Sequence, residues 1–299
     1  MKRSIDYVID EAYDGKKLKV WLRGRLKTSA RSVNILKNDP EGLKRNGEHI
    51  RTVDLLRAGD VVTVTFPEEE TAILPTDCAD LTIVYEDADL LIVNKPAGLA
   101  VHPTHNHQGD TLANQVAAYY AGKNVIFRAV GRLDKCTSGL MVLALNRHAA
   151  SVLPDRVQKQ YLAVAGGEFH GSGTVDRNIY RPDPMKTLRA VSEDNSRGER
   201  AVTHWEALAT DGQRTLLRIH LETGRTHQIR VHFASLGAPL AGDAMYGSQD
   251  TSIERAALHC ARLTLTHPVT WQTLCFSAPL PEDMATILRE MSVDLKGIS

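Results

Sequence analysis

The chain has 299 residues, 42% hydrophobic and 24% charged, the balance of an ordinary globular protein able to bury a sizeable core. Its 36 basic and 36 acidic residues give a formal net charge of zero, which argues against strong nonspecific binding to nucleic acid. No run approaches the roughly 18 uncharged apolar residues of a membrane-spanning helix, which excludes one.

The distribution of charge says more than its total. Residues 1–60 carry 14 Lys/Arg against 9 Asp/Glu, whereas residues 61–110 carry 1 against 9. A basic head followed by an acidic stretch predicts separate modules. The N-terminus turns acidic at Asp6 and lacks an apolar stretch, so no secretion signal is expected. Leu18, Trp21, Leu22 and Leu26 recur at helical spacing among Lys16, Lys17, Lys19, Arg23, Arg25 and Lys27, which predicts an amphipathic helix with a basic outer face. Thr28 or Ser29 is placed to cap a second helix through Ile35 and Leu36. Asn46-Gly47 predicts a tight turn, and Gly59-Asp60 feeds the alternating strand Val61–Phe66. Two short helices, an Asn-Gly turn and a late Gly-Asp strand resemble the small S4-type RNA-binding domain; a basic helical cap on the next domain is the plainer alternative. Glu68-Glu69-Glu70 through Pro75 is acidic and aperiodic, and reads as a linker.

From residue 81 the pattern changes to strands. Residues 81–94 read as a hairpin of buried strands, and further apolar strands follow at 139–145, 160–165 and 215–221, with a helix near 112–120. Neither GxGxxG after a strand nor GxxxxGK[ST] occurs, so nucleotide-dependent chemistry has no foothold. A sheet-rich α+β fold is the default.

Three segments concentrate chemistry-bearing residues. Val130 to Gly139 sets Arg132, Asp134, Thr137 and Ser138 in a short polar loop before an apolar strand, where function commonly resides; taken alone, Asp134 reads as a turn residue or an ion-pair partner of Lys135 rather than as a nucleophile. In Thr223 to Gly237, Thr226 is placed to cap a helix ending at Gly237. Ile229, Phe233 and Leu236 then share its inner face, and Arg230 lies at the edge of the core. A cation there either finds an anionic partner or snorkels outward. The third segment, Lys159-Gln160-Tyr161, sets a phenol on an apolar strand, where the plain reading is a core tyrosine with a paired hydroxyl.

Taken together these segments resemble the RluA/RluD-type family of RNA pseudouridine synthases. The resemblance runs from Tyr85-Glu86-Asp87 and Asn94-Lys95-Pro96-Ala97-Gly98-Leu99 with Val101-His102-Pro103, through Arg132-Leu133-Asp134 with Thr137-Ser138-Gly139, to Lys159 and Tyr161. It continues in Thr223 to His232, Gly242-Asp243, Tyr246-Gly247, Leu258-His259-Cys260-Ala261 and His267-Pro268, and covers about residues 81–282. One position departs: Gly131 stands where the family usually has histidine.

The resemblance implies an α+β fold with a mixed, mostly antiparallel sheet, flanking helices and a central cleft. It implies an S4-like domain at 1–67, a linker at 68–80 and a catalytic domain at 81–299. It further implies conversion of uridine to pseudouridine with Asp134 as nucleophile, a carboxylate being able to divide a hard exchange into easier covalent steps. Arg230 would keep Asp134 ionised. Tyr161 would stack on the uracil and is a candidate to assist loss of the carbon-5 proton. Arg132 would fill the gap left by a flipped-out base. Thr137, Lys95, His102 and Arg225 are the remaining candidate RNA contacts, Arg225 reading equally as a residue beside a helix start.

No cofactor is expected, because neither redox change nor group transfer occurs. His102, His105 and His107 lack the cysteine or second spaced pair that would complete a zinc tetrahedron, and His227 and His232 are five apart. The four cysteines, Cys78, Cys136, Cys260 and Cys275, have no CxxC spacing and read as free thiols of a reducing cytoplasm. The expected partner is ribosomal RNA, with transfer RNA as second substrate class, and neither DNA nor membrane; a monomer is the default. The competing classes are a noncatalytic RNA-binding or assembly factor, hinted at by Gly131, and a metal-dependent RNA hydrolase, which lacks the clustered carboxylates such chemistry needs.

Overall fold

A computed structural model describes residues 3–66, 73–76, 80–104, 107–123 and 125–293. Most of the predicted acidic linker, together with Cys78 and His105, lies outside the described residues. The first unit is a four-stranded antiparallel sheet of β1 (Arg3–Val8), β2 (Leu43–Arg45), β3 (Glu48–His49) and β4 (Val61–Phe66), in the order β1-β4-β2-β3. Asn46 and Gly47 join β2 to β3 with φ of 52° and 88°, the positive pair that a two-residue hairpin turn of the matching twist demands. Helices α1 (Leu18–Gly24) and α2 (Ala30–Asn38) cover the sheet. Ser29 caps α2, its Oγ accepting from the Ser32 amide at 3.1 Å. Leu18, Trp21, Leu22 and Leu26 are buried with Ile5, Leu43 and Val64 in a core of their own. Lys16, Lys17, Lys19 and Arg23 are exposed on the opposite side, as an amphipathic basic helix requires.

The second unit is built on a ten-stranded mixed sheet. Its strands are β5 (Ile83–Glu86), β6 (Leu90–Lys95), β7 (Ala129–Val130), β8 (Ser138–Ala144), β9 (Val157–Gly166), β10 (Ser172–Asp176), β13 (Val202–Thr210), β14 (Arg214–Leu221), β15 (Leu258–Thr266) and β16 (Thr273–Ser277). A two-stranded ribbon of β11 (Ile179–Tyr180) and β12 (Ala190–Val191) stands apart from it. The main path runs β10-β13-β14-β9-β15-β8-β6-β5, with β16 on β15 and β7 on β8. Every pairing is antiparallel except β15 with β8, where only His259↔Ser138 and Cys260↔Gly139 are in register. This short parallel contact joins the two halves of the sheet.

Strand alternation assigns the faces. On β9, Tyr161, Ala163 and Ala165 enter one core with α3 (Leu112–Tyr119) and α5 (Gln228–Ser235), while Leu162 and Val164 enter another with α6 (Glu282–Glu290). Thr111 caps α3 through a capping box with Asn114, satisfying two amides reciprocally. Tyr161 is thereby turned toward α5.

The two units touch through a defined seam. The Tyr7 hydroxyl lies 3.0 Å from His148 Nε2, which belongs to α4 (Arg147–Val152). Lys27 pairs with Asp155 at 2.7 Å, and Val269 packs on the first unit's core. Trp271, between β15 and β16, lies between the guanidinium of Arg25 from the first unit and that of Arg156 from the second, with Cζ atoms 4.1 and 3.8 Å from its ring centroid. Its φ of 63° is a conformation that a bulky side chain adopts only under tertiary constraint. Two cation–π contacts contribute about 1–2 kcal/mol together, most of it lost in Trp271→Ala. In that variant, hydrogen exchange should quicken at Tyr7 and along residues 268–271 while the strands of both sheets keep their protection; unchanged exchange at the seam would show that the stack does not hold the units together.

Candidate active site

The Asp134 loop follows β7 and enters β8. Leu133 is buried and anchors it in the core. Three successive carbonyls of the loop are each held by a donor. Thr137 N donates to Asp134 O at 3.0 Å, Gly98 N to Lys135 O at 2.8 Å, and Arg255 Nη1 to Cys136 O at 3.2 Å. Arg255 is itself fixed by Asp283 through Nε and Nη2 at 2.6 and 2.8 Å. Lys95 was expected to contact RNA, but it is 1% exposed. Its ammonium donates to Pro96 O, Leu99 O and Lys135 O at 2.7, 2.9 and 3.3 Å. Burial pushes its pKa down to about 8. Lys95 is therefore a positioning residue that ties the loop after β6 to the loop of Asp134. Thr137, another expected contact, is 1% exposed and braces the same turn.

Just behind the loop, Gly139 has a φ of +114°, and a Cβ there would meet Cys260 O at 2.3 Å. Only glycine lets β8 approach β15 at their parallel contact. Gly139→Ala should cost about 3 kcal/mol or more, whereas Gly237→Ala, at φ +75° with open space around it, should cost about 1–2 kcal/mol. Urea denaturation of the two variants makes the comparison, and equal losses would refute the close-approach argument.

Arg230 comes from α5 and is buried, not at the core's edge as helical spacing predicts. It has the anionic partner such a site requires, and that partner is Asp243. Nε donates to Asp243 Oδ2 and Nη2 to Asp243 Oδ1, both at 2.7 Å, a bidentate fork. The third nitrogen, Nη1, lies 3.7 Å from Asp134 Oδ2, within ion-pair range but beyond a hydrogen bond. Burial opposes the guanidinium's charge, but the bonds to Asp243 and the field of both acids outweigh it and hold its pKa above the usual value. Tyr246 lies against the same guanidinium, its ring centroid 5.0 Å from Cζ, and its hydroxyl is 2.9 Å from His227 Nδ1.

The start of α5 also differs from the sequence expectation. Thr226 is not its cap; His227 holds that position at φ 59° with no side-chain cap. Gln228 braces the loop instead. Its Oε1 accepts from Thr223 Oγ1 and Arg225 N, and its Nε2 donates to Val202 O and Thr203 Oγ1. Leu236 lies past the helix end and is exposed, while Ile229 and Phe233 are buried as expected.

Asp134, Tyr161, Arg230, Arg132, His102, Thr137 and Arg225 all line one cleft of about 610 Å³. Asp134 is partly open to it, with its side chain 24% exposed. Tyr161 is 6% exposed, and burial raises its pKa well above the ordinary phenol value. A phenolate there is costly near neutral pH. His102 packs edge-on against Phe127 at 5.1 Å, with its pKa lowered by burial and then by Arg132. Arg132 is exposed at the mouth, with Nη2 3.4 Å from Thr226 Oγ1. Arg225 is engaged by Glu199 and by Arg200 O. Among the described residues, Asp87, Asp89 and His267 are close enough to hold a metal ion. Asp87, however, already accepts from Tyr85, Asp89 N and Leu90 N and contacts His267, so the cluster fixes the β5–β6 turn.

The profile of the RNA pseudouridylate synthase family matches residues 89–235, the stretch that holds Asp134, Tyr161 and Arg230. An uncharacterised RNA pseudouridine synthase of Bacillus subtilis is 36% identical over 96% of this chain and 97% of its own length. The chain belongs to the RluA/RluD-type RNA pseudouridine synthases. The ribosomal large subunit pseudouridine synthase D of Escherichia coli K12 is 37% identical over 80% of this synthase and 78% of its own length. Human RNA pseudouridylate synthase domain containing 1 superimposes with a TM-score of 0.56 at 25% identity, covering 74% of this synthase and 98% of that chain. The α+β fold with a mixed, mostly antiparallel sheet is the one these relatives carry.

Within the synthase, Asp243, Tyr246, His227, Arg255 and Gln228 are the supporting residues whose roles sequence reasoning did not assign. Gly242-Asp243 and Tyr246-Gly247 form recognisable blocks, but pairing across 13 positions leaves no local periodic signal. Asp243→Ala removes the bidentate partner of a buried cation and should cost about 3–5 kcal/mol. Asp134→Asn leaves the fork intact and should leave stability within about 1 kcal/mol. Thermal or urea melts of both variants test this ordering, and the reverse order would mean that Asp134 is the true anchor of Arg230.

Proposed function

We propose that this synthase isomerises specific uridines in structured RNA, with large-subunit ribosomal RNA the leading substrate, and that Asp134 is its nucleophile. One observation carries the reading: an exposed carboxylate edge faces the cleft 3.7 Å from a guanidinium whose other two nitrogens are fixed on Asp243. Such a guanidinium faces the acid as a fixed cation without tying up its oxygens in a tight bidentate bond.

In the proposed reaction, the bond from ribose carbon 1′ to uracil nitrogen 1 breaks, the base turns, and carbon 1′ joins carbon 5. Nitrogen 1 ends protonated and carbon 5 gives up its proton, so no atom is gained or lost and no cofactor is called for. Asp134 divides this exchange into covalent steps. Tyr161 is the surface on which the flipped uracil stacks, a contact of about 1–3 kcal/mol per base. Arg132, exposed at the mouth, fills the vacated stack, which offsets part of the few kcal/mol that flipping costs. The large-subunit assignment is supported by the relatives that bear that name. The basic outer face of α1 supports reading residues 1–67 as an S4-like RNA-binding head, 68–80 as linker and 81–299 as the catalytic domain.

Mapping pseudouridines in ribosomal and transfer RNA from cells lacking the protein, then restoring wild type or Asp134→Ala, tests the reading. A ribosomal site should vanish and return only with wild type, the variant losing essentially all activity. Equal restoration by both would sink the role of Asp134. Loss confined to transfer RNA would overturn the substrate assignment, and no change at any site would overturn the enzyme reading.

A further inference from the structure

Lys159 lies two residues before Tyr161 on the cleft-facing side of β9 and lines the cleft. Its ammonium approaches within 3.1 Å of the point where a Cβ on Gly131 would sit. Gly131 itself has a φ of +73°, in the left-handed region that favours glycine. A side chain at position 131 would therefore crowd the head of Lys159. This cation has no hydrogen-bond or ion-pair partner among the described residues. Burial lowers its pKa, and the only group opposing that is the Cys260 thiol, which burial itself keeps protonated, with a pKa of about 11. Among the described residues no carboxylate is paired with it. Asp134 is paired with Arg230; of the other basic groups of the cleft wall, Arg225 is engaged by Glu199 and Lys135 lies against His107, while Arg132 is exposed at the mouth.

A half-buried ammonium with three donors and no acceptor stores a desolvation cost that an entering anion relieves. In a cleft of an enzyme acting on RNA, the anion supplied with every substrate is the backbone phosphodiester. We infer that Lys159, admitted by Gly131, is a phosphate anchor of the cleft that grips the RNA backbone beside the nucleotide presented to Asp134. The inference rests on the reading of the cleft as an RNA site and adds to it a specific backbone contact. A compact ammonium suits this task, because it binds phosphate as a point charge with no need of a planar partner.

The test is the salt dependence of binding to an unmodified large-subunit ribosomal RNA transcript. It is measured in the Asp134→Asn background so that chemistry does not intervene. Adding Lys159→Met should weaken binding about 5- to 10-fold at 0.1 M salt and make the slope of log K against log salt shallower by about 0.7–0.9, the signature of one lost phosphate contact. Adding Lys159→Arg, which keeps the charge, should restore most of the slope. The melting temperature of the Lys159→Met protein should rise, because an unpartnered cation has been removed from a half-buried site; that result also excludes misfolding as the cause of weak binding.

Weakened binding with an unchanged slope would mean a contact to the base, and would overturn the phosphate assignment. Unchanged affinity and slope would overturn the inference entirely. Pseudouridine formation by the wild type on the same transcript is scored separately. Its absence would count against the proposed substrate, while the slopes still decide the role of Lys159.

Discussion

A guanidinium taken out of water must be paired, and Arg230 is paired first with Asp243. The fork fixes two of its three nitrogens and thereby the plane of the whole group, so that Nη1 is aimed at Asp134 from a set direction. Charge and geometry are divided between two acids. Asp243, almost fully buried, bears the structural half of the interaction. Asp134, partly open to the cleft, is left with a longer contact of 3.7 Å that does not engage it in a fork. A single acid serving both purposes would have its lone pairs directed into the fork.

That arrangement is useful only if Asp134 is held still, and the loop is held through its backbone. The carbonyl of residue 134 is held within its own turn by Thr137 N, and those of 135 and 136 by donors from distant segments, among them the side chains of Lys95 and Arg255. Burying a lysine costs free energy unless its donors are satisfied, and Lys95 meets that condition with three carbonyls. The approach of β8 to β15 at Gly139 brings the base of the loop against the strand next to Tyr161. Asp134 sits on a braced loop leading into β8, Tyr161 on β9 and Arg230 on α5, and elements of regular structure hold side chains more closely than free loops do.

The basic first unit is joined to this rigid body through a small seam centred on Trp271. Aromatic stacking between two guanidiniums tolerates some sliding and is weaker than a buried apolar interface. The seam sets a preferred orientation for the basic face of α1 without making the two cores one.

Local rules determined much of this protein. Helix periodicity located α1, the Asn-Gly turn fixed the β2–β3 hairpin, continuous apolar runs marked several strands of the larger sheet, and the blocks around Asp134, Tyr161 and Arg230 marked one cleft. These features depend on neighbours a few positions apart. Tertiary structure alone decided which acid holds Arg230, that Lys95 and Thr137 are buried where they brace a loop, that Gln228 rather than Thr226 organises the start of α5, and that the head of Lys159 lies against Gly131. Each of those outcomes depends on groups brought together from distant segments, and competition among donors and acceptors in a shared, desolvated space has no counterpart in the spacing of a linear chain.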